Sequence, residues 1–294
     1  MITVAGLTNV EINLKTDKFP LEYMPVCYPC FGVDVSTSGV AFNVAKALNT
    51  LGSDVALLTL GAEDSLSSMV NKDLQALNLK ECRKIDNLKE TPQSVNVYDA
   101  SGRRRIFCDL KDIQECSFDI ETAVSVIRNS DAAVLCNINF ARPMLSVAKE
   151  AGAPIVTDVH VLSNPEDEYD MDFFKASDVL FLSNEDIKGE ERGFIRKLAK
   201  LYKNLDVIVV GMGADGAMLY HRSADNVKHL PAVKPSKIVN TIGAGDALLS
   251  AFTHFRFTRK LSAEESLTMA QKFASIKIGV SGAANGFATE AELC

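Results

Sequence analysis

Two hydrophobic patterns alternate along the middle and C-terminal parts of the chain. Short continuous apolar runs are typical of strands buried on both faces of a sheet. Apolar positions at every third or fourth residue indicate amphipathic helices. The first pattern predicts strands at 1–6, 55–60, 132–136, 154–158, 178–182 and 207–210. The second predicts helices near 66–77, 119–128, 142–151 and 190–203. Strands alternating with helices predict an α/β fold with a mostly parallel central sheet flanked by helices.

Two segments interrupt this alternation. The first, about 9–35, contains three prolines and has no helical repeat. The second, about 93–110, predicts a hairpin with strands at 94–98 and 105–109 around a Gly-containing turn. We expect the two segments to form a small lid of antiparallel β-strands on a single domain that spans 1–294.

Charge and composition narrow the range of partners. The 294 residues carry a net charge of -7, and the longest basic cluster is the Arg triplet at 103–105. A nucleic-acid partner needs a larger basic surface, so this class is disfavoured. No stretch approaches the roughly 18 consecutive apolar residues of a membrane helix, and the uncharged start does not resemble a signal peptide. Seven scattered cysteines fit reduced thiols, so we expect a cytoplasmic protein with no nucleic-acid or membrane partner.

Cys27 and Cys30 have the spacing of some zinc and redox sites. Zinc would need a second pair of ligands, and the four histidines show no ligand spacing. A redox pair is expected at the start of a helix, whereas this pair lies between prolines. We therefore interpret the pair as part of a loop and predict no protein-bound metal site.

The strongest local signal is N-T-I-G-A-G-D at 240–246, followed by apolar residues at helical spacing. Gly243 and Gly245 leave the backbone N–H groups of this helix start open to an anion, which the helix dipole also favours. Asp246 could accept a proton from an attacking hydroxyl while the N–H groups hold a phosphoryl group. The alternative is an Asp that only stabilises the helix start. In either case we expect the dipole to lower the pKa of Asp246.

A second motif, S-G-V-A-F-N at 38–43, opens a helix that is predicted to end near Gly52. Ser38 is the predicted N-cap residue of this helix. Asn43 lies within the helix, where Asn has a poor propensity. It is therefore either a functional residue or a solvated polar one.

These motifs resemble those of the ribokinase-like (PfkB) carbohydrate kinase family. Residues 240–246 resemble its C-terminal signature D-T-x-G-A-G-D, and residues 38–43 resemble its N-terminal G-G-x-x-x-N. The order of the elements and the two lid segments also agree, so the resemblance spans nearly the whole chain. It implies a ribokinase-like fold, ATP and Mg²⁺ as cofactors, and transfer of phosphate to a hydroxyl of a small sugar-like substrate.

The resemblance also implies roles for individual residues. Asp246 would be the catalytic base, with an anion hole formed by Gly243, Ala244 and Gly245. The residues against the acceptor substrate would be Glu11, Ser38, Gly39 and Asn43. The residues near the nucleotide would be Asn184, Gly213, Gly216 and Thr241.

Lids in this family often clasp each other, so the resemblance implies a homodimer. Val95 and Val97 share the apolar face of the strand 94–98. They could pack against a partner's lid, a bound sugar or the body of the chain. Arg104, Phe107 and Lys111 at the lid exit could touch the substrate, or they could form a solvated hairpin face.

Four positions depart from the family pattern. Asn240 replaces an Asp associated with monovalent-cation binding, so we expect weak or absent dependence on K⁺. Ile187 stands where the motif N-x-x-E has its Glu, although Glu185 or Asp186 could compensate. The other two departures are at the acceptor site, where Glu11 stands for a frequent Asp and Ser38 for the first Gly.

These departures leave the acceptor open and keep two alternatives to a sugar kinase. One is a nucleoside kinase of the same family, and the other is a degenerate member that binds sugar without catalysis. An NAD-dependent dehydrogenase is disfavoured, although 211–216 fits G-x-G-x-x-G, because a strand rather than a helix is predicted at 217–221. No G-x-x-x-x-G-K-[ST] occurs, so another device must hold any nucleotide.

Overall fold

The computed structural model describes residues 1–293, which form thirteen strands and eight α-helices. Nine of the strands form the main sheet: β1 (Ile2–Ala5), β4 (Val55–Ala62), β5 (Glu81–Leu88), β8 (Ala132–Leu135), β9 (Ile155–Val161), β10 (Val179–Ser183), β11 (Val207–Gly211), β12 (Ala217–His221) and β13 (Asn226–Leu230). Their order is β13-β12-β11-β10-β9-β8-β1-β4-β5. All neighbours from β11 to β5 are parallel, and β12 and β13 extend one edge antiparallel. The predicted α/β sheet is confirmed.

The helices are α1 (Val40–Thr50), α2 (Ser67–Ala76), α3 (Ile120–Ile127), α4 (Arg142–Ala151), α5 (Met171–Ala176), α6 (Glu191–Leu201), α7 (Ala244–Thr253) and α8 (Ala263–Lys277). They cover both faces of the sheet. Alternate residues of β10 show this, because Phe181 packs edge-on against Phe252 of α7, whereas Leu180 belongs to a separate apolar cluster with Ile195 of α6. Within residues 1–293, no helix is long and apolar enough to cross a membrane.

The other four strands form a separate lid sheet: β2 (Asn9–Lys15), β3 (Val33–Ser38), β6 (Gln93–Tyr98) and β7 (Arg104–Asp109), in the order β3-β2-β6-β7. Both predicted lid segments are present. Within each segment the strands pair antiparallel, as predicted, and the central pair β2–β6, which joins the two segments, is parallel. Because β2 follows β1 and β6 follows β5, both strands leave the same edge of a parallel sheet and run in the same direction.

The start of α1 differs from the prediction. Ser38 is the last residue of β3, and the N-cap residue of α1 is Gly39, with no side-chain capping bond. Gly39 has φ 104°, and a Cβ there would lie 2.4 Å from the carbonyl oxygen of Leu7, so a side chain would clash with backbone. The predicted end is confirmed, since Gly52 follows the helix with φ 88°. Because Ser38 does not cap α1, its hydroxyl group is available for other hydrogen bonds.

Candidate active site

The start of α7 exposes backbone N–H groups. Gly243, the N-cap residue, has φ 75°, and a Cβ on it would lie 2.5 Å from the carbonyl oxygen of Ala283. The N–H of Ala244 donates to the oxygen of Thr241 at 3.2 Å, so this member of the predicted anion hole is already engaged. Within residues 1–293, the N–H groups of Gly245 and Asp246 have no hydrogen-bond partner. They are therefore the groups best able to bind an anion.

Gly245 borders open space. The nearest atom to a Cβ built on it is Asp158 Oδ2, at 3.8 Å, and its backbone is not left-handed. The space in front of the helix start is therefore free to receive a ligand, and the carboxylate of Asp158 lines it.

Asp246 is partly buried in the first turn of α7 and accepts a hydrogen bond from Asn43 Nδ2 at 2.7 Å. Burial raises its pKa to about 6, the hydrogen bond from Asn43 opposes the rise, and the nearby carboxylate of Asp158 adds to it. The expected lowering by the helix dipole was wrong in sign, because loss of solvent outweighs the dipole. A carboxylate with a pKa of about 6 is ionised at neutral pH and is well matched to accept a proton.

A buried polar chain runs from Asp246 to the lid. Asn43 Oδ1 accepts a hydrogen bond from the Ser38 hydroxyl at 3.2 Å. The same hydroxyl also approaches Glu11 Oε2 at 3.1 Å. Glu11 Oε1 accepts from the N–H of Ala283 at 3.3 Å, which ties the lid to the loop that packs on Gly243. Asn43 thus contacts Asp246 directly, and Ser38 and Glu11 are linked to Asp246 through Asn43. That these residues contact the acceptor stays a prediction.

The same face of the lid carries polar residues that the sequence analysis missed. Asn13 Nδ2 donates to Glu11 Oε1 at 2.9 Å, and Asn96 Nδ2 donates to Asn13 Oδ1 at 3.1 Å. Asn9 Nδ2 donates to the Ser94 hydroxyl at 3.1 Å. Among the described residues, the buried Oδ1 atoms of Asn9 and Asn96 have no hydrogen-bond partner. The alternation of polar and apolar residues at 9–13 and 94–97 indicates strands with one polar face, and this pattern could have identified these residues.

Asn184 follows β10 and donates through Nδ2 to Glu191 Oε1 at 2.7 Å. Glu191 is buried and also accepts from the N–H of Gly189 at 3.0 Å. Burial alone would raise the pKa of Glu191, but these hydrogen bonds lower it. Ile187 lies in the apolar cluster of α6. Glu191, rather than Glu185 or Asp186, therefore supplies the carboxylate beside Asn184.

Gly213 and Gly216 lie in the turn between β11 and β12. Gly216 has φ 94°, and a Cβ on it would lie 2.1 Å from the carbonyl oxygen of Leu230, so only glycine fits. Gly213 has φ 56° and open space around it. The strands on either side pair antiparallel, so this G-x-G-x-x-G segment does not open a helix, and a dinucleotide motif is excluded.

Arg104 connects the lid to the signature loop. Its Nη1 donates to Thr241 Oγ1 at 2.9 Å, and its Nη2 donates to Glu185 Oε1 at 3.3 Å. The other lid-exit residues take different positions. Phe107 is half exposed on the opposite face of the lid, and Lys111 pairs with Asp109 at 2.8 Å and with a neighbouring Glu.

Val95 and Val97 also lie on the face of the lid opposite Glu11, so they do not line the acceptor site. Cys27 and Cys30 are exposed in the segment between β2 and β3. Within residues 1–293, no three His, Cys, Asp or Glu side chains are grouped so as to hold a metal ion.

The family model described as pfkB family carbohydrate kinase matches residues 1–290. A ribokinase from Dictyostelium discoideum is 26% identical over 94% of this chain and 94% of its own length. A microbiome-derived acarbose kinase has a similar structure, with a TM-score of 0.88, 20% identity, and coverage of 99% of this chain and 96% of that one. A ribokinase from Giardia lamblia has a TM-score of 0.84 at 14% identity, covering 99% and 96%. These structures have the same ribokinase-like fold.

Proposed function

The chain belongs to the pfkB family of carbohydrate kinases and is an ATP-dependent carbohydrate kinase, and we propose that it phosphorylates a hydroxyl of a neutral, polyhydroxylated acceptor. The observation that carries this proposal is the ionisable Asp246 beside the unpartnered N–H groups of Gly245 and Asp246 at the start of α7. A pure sugar-binding protein does not need a base next to an anion site.

In the proposed mechanism, Asp246 accepts the proton of the acceptor hydroxyl as that oxygen attacks the γ-phosphorus of ATP. The bond between this phosphorus and the β–γ bridging oxygen breaks, and ADP leaves. Asn43 orients the carboxylate through its hydrogen bond to Oδ2. The N–H groups at the start of α7 hold the equatorial oxygens of the transferring phosphoryl group. Transfer through a loose transition state depends mainly on positioning and charge stabilisation, which these groups supply.

The acceptor is proposed to be a sugar because the polar face of the lid includes hydrogen-bond acceptors that hydroxyl groups could bind. Glu11 offers a carboxylate, and Asn9 and Asn96 offer buried carbonyl oxygens without partners. A buried acceptor without a donor costs about 1–3 kcal/mol, and sugar hydroxyls would remove this cost. A phosphorylated sugar fits less well, because Glu11 would repel its phosphate. A nucleoside is the second candidate acceptor.

Mg²⁺ is proposed to enter with ATP, held mainly by phosphate oxygens and water, as is usual for this ion. Asn184 with Glu191, and the carboxylate of Asp158 beside Gly245, are the groups proposed to contact its hydration shell. The ion would neutralise phosphate charge during transfer.

A phosphorylation screen tests the proposal. Purified protein is incubated with ATP and Mg²⁺ and with pentoses, hexoses, sugar phosphates or nucleosides, and both ADP and phosphorylated product are measured. We expect turnover of at least one unphosphorylated sugar, and none by Asp246→Asn. Turnover of nucleosides alone would support the second candidate. Sugar binding by calorimetry without turnover would identify a non-catalytic member.

A further inference from the structure

Lys277, the last residue of α8, is completely buried. Its ammonium group donates hydrogen bonds to two backbone carbonyl oxygens, those of Ile242 and Gly282, the second at 2.9 Å. In the part of the chain that the structure describes, no carboxylate forms an ion pair with it. Burying an ammonium that no carboxylate contacts directly is costly, so its presence indicates a task in addition to stabilising the fold.

The two carbonyl oxygens belong to the loops that build the anion site. Ile242 immediately precedes Gly243, whose left-handed conformation opens α7. Gly282 precedes Ala283, whose carbonyl oxygen packs directly against Gly243. The ammonium of Lys277 therefore holds together the two loops whose contact positions the N–H groups of α7.

Asn240 joins the same loops without adding charge. Its Nδ2 donates to Ser281 Oγ at 3.2 Å, and its Oδ1 accepts from the N–H of Ile242 at 3.2 Å. A carboxylate at position 240 would attract a cation into this site, whereas the neutral amide does not. The positive charge near the anion site thus comes from the lysine side chain.

We propose that Lys277 is a tethered substitute for a bound monovalent cation. Its ammonium ties the loop 240–243 to the loop 281–283 and places a fixed positive charge behind the N–H groups that receive the phosphoryl group. It acts through these loops and is a positioning residue. Its effect on phosphoryl transfer rests on the proposed function, whereas its role as a cation in the loops does not.

Thermal unfolding tests the cation role without any substrate. Lys277→Ala leaves a cavity beside the two carbonyl oxygens, whereas Lys277→Met fills the same space without charge. At constant ionic strength, KCl or NH₄Cl in place of choline chloride should raise the Tm of Lys277→Ala by roughly 3–8 °C. The wild type and Lys277→Met should not respond. Asn240→Asp combined with Lys277→Ala should respond at lower KCl, because it adds a charged ligand.

Steady-state kinetics test the catalytic consequence. Lys277→Met should lower kcat by about 10²-fold, because the charge behind the anion site is lost. Lys277→Ala should be equally slow in choline chloride and recover at least about tenfold in saturating KCl or NH₄Cl. Wild-type kcat should be the same in all three salts.

Two outcomes would overturn the proposal. One is Lys277→Met with wild-type kcat. The other is a folded Lys277→Ala whose Tm and kcat are the same in every salt. If Lys277→Ala folds only in KCl or NH₄Cl, the proposal is supported, and if it folds in no salt, the kcat of Lys277→Met decides. A cation-dependent Tm in Lys277→Ala, with no phosphoryl transfer by the wild type, would refute the proposed function and leave the cation role standing.

Discussion

The carboxylate of Asp246 lies where burial and the neighbouring Asp158 raise its pKa from 3.8 to about 6. An acid with a raised folded-state pKa destabilises the fold at any pH above its unfolded-state pKa, because the unfolded chain ionises more easily. The penalty is absent below pH 3.8, grows as the pH rises towards 6, and is fully present at neutral pH. At about 1.4 kcal/mol for each tenfold change in proton affinity, it is on the order of 1–3 kcal/mol.

We therefore expect Asp246→Asn to separate activity from stability. Its kcat should fall by roughly 10²–10⁴-fold because the base is lost, while nucleotide affinity changes little. Its free energy of unfolding at pH 7.5 should rise by about 1–3 kcal/mol because the buried charge is gone. Urea unfolding and steady-state kinetics measure the two effects. Wild-type turnover in this variant would refute the assignment of the base.

The pH dependence of kcat/KM should show two limbs. Protonation of Asp246 should reduce the rate as the pH falls through about 6. Burial lowers the pKa of Lys277 to about 8, against the attraction of Asp246 and Glu11, so its charge and the rate should decline above that pH. In Lys277→Met the alkaline limb should disappear while the acid limb remains. An unchanged alkaline limb in that variant would assign it to another group.

Single residues show where sequence reasoning succeeds and where it stops. Asp246 and Asn43 each belong to a short motif that pointed to them, and the structure brings the two side chains together, while their roles stay predictions. Glu191 could not be predicted. The family motif places the carboxylate three residues after Asn184, whereas the carboxylate that contacts Asn184 lies seven residues after it. Lys277 is separated by 35 positions from the loop it supports, so only the fold reveals that contact.

At the scale of elements, the two glycines at the start of α7 differ in whether the backbone requires them. Gly243 is required by the backbone, since any Cβ would strike the carbonyl oxygen of Ala283. Gly245 meets no such obstacle, and a side chain there would project into the space proposed for the phosphoryl group.

We therefore expect Gly245→Val to fold and to lose phosphoryl transfer, because its side chain blocks the N–H groups. Gly243→Val, the matched control, should be destabilised, with a clearly lower Tm. Differential scanning calorimetry and a transfer assay distinguish the two. Near-normal transfer by folded Gly245→Val would mean that the phosphates bind elsewhere.

The strand β7 brings Arg104 from the lid to Thr241 and Glu185. Because the contact is exposed, it contributes little to the stability of the fold. It joins the lid to the signature loop, so we infer that its role is to favour the closed lid. Arg104→Met should raise the acceptor KM and increase ATP hydrolysis relative to transfer, by roughly tenfold, because water enters the open site. The control is Arg83→Met, since Arg83 is an exposed arginine on the edge strand β5, away from the lid, whose Nε pairs with Glu81 at 2.8 Å. Equal ratios of ADP to product in both variants would contradict this role.

Two features that sequence patterns did not predict have different physical reasons. The strands predicted in the main sheet are apolar because helices cover both faces. β5 lies at the edge, where half of its eight residues are charged and all but one are exposed or only partly buried, so it lacks an apolar run. The parallel pairing of β2 with β6 was missed because it depends on two connections far apart in sequence.

At the scale of the whole molecule, the lid has an apolar face that the chain itself covers only in part. Val33 and Val35 of β3 and Phe107 of β7 are each about half exposed on this face. The adjoining segment 16–32 adds Tyr28 and Phe31, both almost fully exposed. Large exposed apolar patches mark interaction sites, and β3 and β7 are also unpaired edges of the lid sheet.

We propose that this face packs against the same face of a second copy, giving a homodimer. Val97 is unsuitable for testing this interface. It is buried, and a charge there would disturb the lid itself. Val35 and Phe107 are better targets, since both are exposed on the same face.

Val35→Glu combined with Phe107→Glu should convert the dimer to a monomer, because two charges would be buried in each half of the interface. The acceptor KM should rise as well, because the isolated lid closes less firmly, while the Tm of the α/β core should change little. Leu201→Glu, at a similarly exposed position on α6, is the control and should remain dimeric and active. Light scattering measures the mass of each protein, and steady-state kinetics measure KM. A monomeric wild type at micromolar concentration, or a double variant that remains dimeric, would rule out this interface.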